Sequence, residues 1–296
     1  MYLATVTCNR DLPQLILQAE SIQKFLAPCK HVIIINEENP DLDFYKRWLS
    51  PYYTKHELEI LPRIEYFYPV TGFRKSIAYF GTGVEWRIQQ LQKLLLAYTF
   101  DDDYLLLDSK NFFIKDISLD YYENPNFYGS GIRNENKNQH YVVTTETYRK
   151  LLNTPNTLTT IPGTPFKIHH KLLTSRCKLE ELGYKLFSPE FTKSGITSEF
   201  LFYSTLISDE LSKVTDWQFI HANVFWKDSV DISIIAQLLN DMQYDSTFIT
   251  GFHRDFLGSI GPKELKIINS WLKFSIGLDS TLYPIPRDKE MSFYSP

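Results

Sequence analysis

The stretch Tyr98–Ile117, YTFDDDYLLLDSKNFFIKDI, decides how the chain is read. An acidic turn, Asp101-Asp102-Asp103, leads into the apolar run Tyr104–Leu107. That run halts at Asp108-Ser109-Lys110, and a second apolar piece, Phe112–Ile114, follows. Four apolar residues between turn signals predict a buried parallel strand covered on both faces. Ligands of open α/β sheets gather at the carboxyl ends of such strands, and Asp108 and Lys110 stand at that end. In extended backbone, residues two apart point to the same side, so a carboxylate and an ammonium are offered to one space. The carboxylate suits ribose hydroxyls or one edge of a cation, and the ammonium can neutralise a diphosphate. A solvated ion pair at a strand end accounts for the same spacing.

Upstream of this stretch, Leu3–Thr7 reads as the first strand and ends in Cys8-Asn9-Arg10-Asp11. Asp11 is in place to cap a helix that tolerates Pro13 in its first turn. Leu12, Leu15, Ile16, Ala19 and Ile22 then recur at helical spacing. His31–Ile35 (HVIII) is a second buried strand, which completes a βαβ unit with a right-handed crossover. A loop at Asn36–Pro40, a short helix at Leu42–Leu49 and a strand at Leu58–Leu61 follow. Arg63–Gly83 is aromatic and aperiodic and carries Arg74-Lys75. It reads as a loop over the ligand crevice, or equally as a surface loop with its own small cluster.

Glu85–Tyr98 has the clearest helical period. Ile88, Leu91, Leu94, Leu95 and Tyr98 make one apolar arc, and Trp86, Gln89, Gln90 and Lys93 make the opposite stripe. Read alone, Gln90 and Lys93 form a solvated face. Arg87 falls on the apolar side, where its charge must find water, a carboxylate or a ligand.

Beyond Ile117 the reading is Asn-, Tyr- and Gly-rich irregular chain over Asp120–Asn138 and a short strand at Tyr141–Thr144. A short helix at Thr145–Leu152 and a long loop at Asn153–Phe166 come next. His169–Leu182 is helical, with Leu172, Leu173 and Leu179 inward and Gly183 just past its end. Ser198–Ser208 is an apolar helix opened by Ser198-Glu199. Phe219–Ala222 and Phe248–Thr250 are late strands, Ile232–Met242 and Lys263–Phe274 late helices, and the last dozen residues an irregular tail.

A chain of 296 residues with 43% hydrophobic and 15% aromatic content can bury a sizeable core. Its net charge of −4 gives no global field for nucleic acid or an acidic membrane. Cys8, Cys29 and Cys177 lack CxxC spacing, which favours a reducing compartment over a disulfide framework or a cysteine zinc site. No signal peptide or membrane span is visible, so the expectation is a cytoplasmic protein. Without repeats or a linker, the expected organisation is one domain over 1–296, with a nucleotide-binding half at 1–117 and an acceptor-side half at 118–296. The sequence holds no GxGxxG, P-loop, GxSxG or HExxH pattern. His169-His170 point about 100° apart on a helix and make a poor chelate. His221 and His253, near strand ends, each read first as structural.

Two segments carry a resemblance. Val84-Glu85-Trp86-Arg87-Ile88-Gln89-Gln90-Leu91-x-Lys93, followed by Tyr104-Leu105-Leu106-Leu107-Asp108-Ser109-Lys110, resembles nucleotide-sugar glycosyltransferases of the GT-A fold. It is most similar to a bacterial and phage group with W-x-x-QQ-x-x-K and LDSD in this region. The opening TVTCNRDL and the later Ser198-Glu199-Phe200 are similar to elements of the same group, in the same order over most of the first 210 residues.

The resemblance implies a Rossmann-like sheet with the donor nucleotide at the first strand's end. It also implies an Asp-x-Asp that grips the ribose and a Mn²⁺ or Mg²⁺ on the diphosphate. Here the third position is Lys110, and a protonated lysine is no ligand for a hard cation. Either the site needs no metal and Lys110 offsets the phosphate charge, or the donor site is altered or dead; the first is preferred. Glu199 corresponds to the family's acidic residue near the acceptor, a general base in an inverting transfer. Without the resemblance it is a helix N-terminal glutamate facing the dipole.

The expected fold is α/β, a GT-A-like Rossmann-type mixed sheet flanked by helices with a more irregular C-terminal half. The expected function is sugar transfer from a nucleotide-sugar donor to a glycan or other acceptor, with no metal ligand and no nucleic-acid partner. Glu199 and Asp108 are the catalytic candidates. Asn9, Arg10, Arg87, Gln90, Lys93, Asp108, Lys110, His253 and Arg254 are the donor-binding candidates. The alternatives are an inactive nucleotide- or glycan-binding module of the same fold, and a structural or assembly protein.

Overall fold

A computed structural model describes residues 1–66, 84–118, 120–124, 127–134, 139–154, 160–186, 198–213, 218–219, 221–227 and 231–283. At 84–87, 120, 122, 127–134, 139–142, 160–164, 218–219 and 221 the backbone alone is described. The loop expected at Arg63–Gly83 therefore falls outside the described residues from 67 onward, as does the C-terminal tail from 284.

Strand β1 (Tyr2–Thr7) leads through helix α1 (Leu12–Phe25) to β2 (Lys30–Ile35), then through α2 (Leu42–Leu49) to β3 (Glu57–Pro62). Helix α3 (Val84–Thr99) precedes β4 (Tyr104–Asp108), and β5 (Asn111–Phe113) follows after a two-residue turn. β1 pairs in parallel with both β2 and β4, and β2 pairs in parallel with β3. The side chains of these strands alternate between two cores, as the pleat requires. Tyr104 and Leu106 join Ala4, Val6 and Ile34 under Leu91, Leu94 and Leu95 of α3. Leu105 and Leu107 join Leu3, Ile33 and Ile35 against Leu15, Ala19 and Ile22 of α1 and Leu49 of α2. A strand buried on both faces needs the continuous apolar run seen at 104–107.

The rest of the sheet comes from the second half of the chain. β6 (Phe127–Asn134), β7 (Thr160–Ile168) and β8 (Gln218–Phe219) extend it in the order β3-β2-β1-β4-β7-β6-β8, with β7 antiparallel to β4. Residues 160–166 are thus strand rather than loop. Pro162 and Pro165 obscured this, because proline cannot donate to a ladder. The β6–β7 register shifts around Ser130, opposite that proline-bearing segment, and such irregular pairing is where a strand tolerates proline.

Helix α4 (Gln139–Leu152) is continuous, so the strand expected at Tyr141–Thr144 is absent. Its β-branched residues are overridden by packing: buried Tyr148 meets Phe202 edge-on at 5.3 Å. The helix expected over His169–Leu182 is two, α5 (His170–Arg176) and α6 (Leu179–Leu186). Gly183 is buried inside α6 and donates its N–H to Tyr66 Oη, and Leu179 is exposed rather than inward. Helix α7 (Glu199–Leu206) begins at Ser198, whose hydroxyl accepts the Leu201 N–H.

A second, three-stranded sheet has the order β5-β10-β9, with β9 at His221–Phe225 and β10 at Thr247–Phe252. The strand expected at Phe219–Ala222 is divided: Phe219 pairs with β6, and β9 pairs with β10. Helices α8 (Ile235–Tyr244) and α9 (Pro262–Trp271) cover this sheet through Leu239, Met242, Leu265 and Ile268. Among the described residues no helix is long and apolar enough to cross a membrane.

Candidate active site

The Asp108–Asn111 turn joins the two sheets: β4 ends the large one and β5 starts the small one. Buried polar groups fix it. Gln18 of α1 donates its Nε2 hydrogens to the Asp108 and Asn111 carbonyls, both at 2.8 Å, and Asn111 Oδ1 accepts the Asp108 N–H at 2.9 Å. On the far side, β10 passes so close that a Cβ on Gly251 would lie 2.7 Å from the Lys110 carbonyl oxygen. Only glycine lets the backbones approach like this.

Four charged side chains meet above the turn. Lys93 Nζ donates to Asp108 Oδ1 at 2.8 Å and to Glu199 Oε1 at 2.7 Å. The Lys110 ammonium binds Asp108 Oδ2. Lys93 and Glu199 are buried, with side chains 5% and 3% exposed. Burial disfavours the Lys93 charge, but the Asp108 and Glu199 carboxylates outweigh it and raise its pKa. Burial likewise works against ionised Asp108, and Lys110 and then Lys93 overcome it, holding the carboxyl far below the usual range.

Gln90 and Lys93 are therefore not on a solvated face; both are buried. The helix is covered on that side as well because α7, from the second half of the chain, brings Glu199 to it. Lys93, expected at the diphosphate, spends two of its hydrogens on carboxylates.

The remaining candidates are more dispersed. Asn9 lies in a short 3₁₀ turn after β1, its backbone N–H on the Glu37 carboxylate. Arg10 is exposed and Arg254 half-buried. Asp11 occupies the N-cap position of α1 but makes no side-chain cap; it accepts from Ser109 Oγ at 3.3 Å instead. Burial raises the Asp11 pKa, and the charges of Arg10, Arg254 and Lys110 oppose it; Arg10 Nε lies 3.9 Å from Asp11 Oδ1. His253 follows β10 and caps a short helical turn at Arg254–Leu257, its Nδ1 accepting the Asp255 N–H at 3.3 Å. The Arg87 side chain is outside the described residues.

Manganese or magnesium would need several oxygen ligands. Here the Asp108 carboxylate has both oxygens on ammonium groups, those of Lys93 and Lys110. Among the described residues no three His, Cys, Asp or Glu side chains converge on a cation site. The described residues around Asp108 do not by themselves make a ligand set for a hard divalent cation.

Sequence reading missed Gln18, Asn111, Gly251 and Trp226, which follows β9 and stacks on His253. None carries a local signal, because each matters through a neighbour distant in sequence. A shallow groove on the outer side of α9, lined by Lys266, Asn269, Lys273 and Ser280, holds none of the candidate residues.

No family model matches the sequence, and no curated protein matches it. Solved structures do. The mannosyltransferase Ktr4p from S. cerevisiae superposes with a TM-score of 0.51 at 10% identity, over 69% of this chain and 65% of that one. An active-site mutant of the galactosyltransferase LgtC gives 0.51 at 9% identity, over 91% and 96%. The chain thus spans slightly under two thirds of the yeast protein and nearly all of LgtC. The mixed sheet flanked by helices has the architecture of GT-A glycosyltransferases.

Proposed function

We propose that the protein transfers a glycosyl group from a nucleotide-sugar donor to a glycan or other acceptor, without a metal ion. One observation carries this reading: at the carboxyl end of β4 the Lys110 ammonium is held on Asp108, a cation at the position to which the resemblance assigns a metal-binding carboxylate. The solved relatives support the donor class, one Ktr4p structure being a complex with GDP. In the reaction the bond between the anomeric carbon and the diphosphate oxygen breaks, and a bond from the acceptor oxygen to that carbon forms. Asp108 holds ribose or sugar hydroxyls, and Lys110 meets the charge that grows on the leaving diphosphate. Arg10 and Arg254 are rim cations for the same phosphates, Arg87 is a further candidate for them, and Asn9 lies toward the nucleoside. Glu199 takes the acceptor proton if the transfer inverts. Lys93 positions both carboxylates rather than touching phosphate.

A thermal-shift screen of UDP- and GDP-sugars, with EDTA or with Mn²⁺, tests this. A donor at ~100 times its Kd stabilises by ~2.7 kcal/mol, and EDTA should leave that shift unchanged. Lys110→Ala removes a charge-assisted contact and should weaken donor binding roughly 10- to 100-fold. Lys110→Asp should bind only when Mn²⁺ is added. Equal donor affinity in Lys110→Ala and wild type would refute the role. The burial of Glu199 favours one rival, a binding module that does not turn over. Donor binding without release of UDP or GDP would select it.

A further inference from the structure

Gln18 is a polar residue on the apolar face of α1, among Leu15, Ala19 and Ile22. Thr5 shares a face of β1 with Leu3, and His31 shares a face of β2 with Ile33. Gln18, Thr5 and His31 are each 0% exposed. A line of buried polar groups in an apolar layer costs stability unless every member is paired.

The hydrogens in this line have one consistent assignment. The Asp108 and Asn111 carbonyls only accept, and each lies 2.8 Å from Gln18 Nε2, so the amide faces them with its NH₂. Gln18 Oε1 then faces Thr5 Oγ1 at 2.9 Å and takes the hydroxyl hydrogen. Thr5 has none left for His31, so His31 Nε2, 3.0 Å away, is the donor. Burial, then the His56 charge, lowers the His31 pKa to about 3, so the ring carries one hydrogen at pH 7 and Nδ1 is bare. Nδ1 accepts from Tyr53 Oη at 2.6 Å. Burial raises the Tyr53 pKa well above its ordinary value, so that hydroxyl keeps its hydrogen.

Every hydrogen thus points one way, from Tyr53 to the turn that carries Asp108 and Lys110. Turning the Gln18 amide over would set Oε1 against two carbonyl oxygens. It would also drive the Thr5 hydrogen onto His31 Nε2, move the ring hydrogen to Nδ1 and strand the Tyr53 hydrogen in the core. Each unpaired buried group is costly. A glutamine alone could satisfy two carbonyls; the groups behind it fix which way it faces.

We propose that Gln18, Thr5 and His31 are positioning residues that hold the Asp108–Asn111 turn in the geometry that keeps the Lys110 ammonium on Asp108 for the donor. This rests on the transferase reading in that the turn meets a nucleotide sugar.

The test uses the full chain with Thr5→Val, which removes the hydroxyl, and Thr5→Ser, which returns it. Melting curves establish that each variant is folded. Nitrogen-15 NMR of wild type should show His31 as the Nε2–H tautomer alone; the Nδ1–H tautomer would overturn the proposal. In Thr5→Val the Asp108 amide, which donates to Asn111 Oδ1, should exchange its hydrogen at least tenfold faster relative to those of Leu105–Leu107. Thr5→Ser should restore the ratio. UDP, GDP, UDP-glucose and GDP-mannose are titrated by calorimetry. A nucleotide sugar that binds wild type should bind Thr5→Val at least tenfold more weakly and Thr5→Ser within threefold of wild type. A purely structural threonine would speed exchange evenly along β4 and leave that affinity within twofold, and either result refutes the positioning role. If no nucleotide binds wild type while exchange at Asp108 is selectively faster in Thr5→Val, the hold on the turn stands and the transferase reading fails.

Discussion

Lys93 is the side chain on which the two halves of the site converge. It lies in α3, yet its hydrogens go to a strand end and to a helix more than a hundred residues later. A buried ion pair is costly to break from one side, since the partner is left charged without compensation. Lys93→Ala leaves Asp108 and Glu199 facing each other and should lose about 3–5 kcal/mol in urea unfolding. A loss under ~1 kcal/mol would mean that water already solvates the pair. Lys93→Arg should rescue poorly, because a planar guanidinium cannot replace a point charge in a fitted buried site. Gly251 is the complementary case, where the missing side chain matters. A methyl there meets the Lys110 carbonyl and the Asn111 amide, and the backbone oxygen cannot swing aside. Gly251→Ala should cost roughly 1–3 kcal/mol from overpacking and move Lys110 off Asp108. Wild-type stability in that variant would show that β10 shifts freely.

At the scale of elements, the turn between β4 and β5 is held from inside the sheet. Gln18 Oε1 accepts from Thr5 Oγ1 at 2.9 Å, Thr5 Oγ1 lies 3.0 Å from His31 Nε2, and His31 Nδ1 lies 2.6 Å from Tyr53 Oη. This chain crosses from the region beside β3, through β2 and β1, to the residues that carry Asp108. Burial drives the His31 pKa down to about 3, so it stays neutral in the fold while the unfolded chain takes a proton below about 6.5. The contribution is intact above about pH 6.5 and is lost progressively as pH falls towards 3. Between pH 7 and 4.5 it amounts to roughly 2–3 kcal/mol. Urea unfolding at those two pH values should show the loss, and His31→Gln should flatten it. An equal slope in the variant would assign the acid sensitivity to other groups. Asp108 acts in the same direction at lower pH, its depressed pKa favouring the fold above about 4.

For the whole molecule, the strands from β1 to β4 and the helices α1, α2 and α3 were legible because each is a local pattern. An apolar run between turn signals, or an arc at 3.6-residue spacing, needs no distant partner to be recognised. The position of Asp108 and Lys110 at a strand's carboxyl end was readable for the same reason. The burial of Lys93 was not, because the element that covers it lies across the fold. Nor were β7, whose prolines mimic a loop, the continuity of α4, whose β-branched residues mimic a strand, and the pairing of Trp226 with His253. By itself, the sequence determined which segments bury both faces and where a carboxylate and an ammonium leave the central strand, since periodicity and charge are properties of neighbours along the chain. Only the tertiary structure decided which charges neutralise one another and which rings stack, because those energies depend on distances that no local pattern encodes.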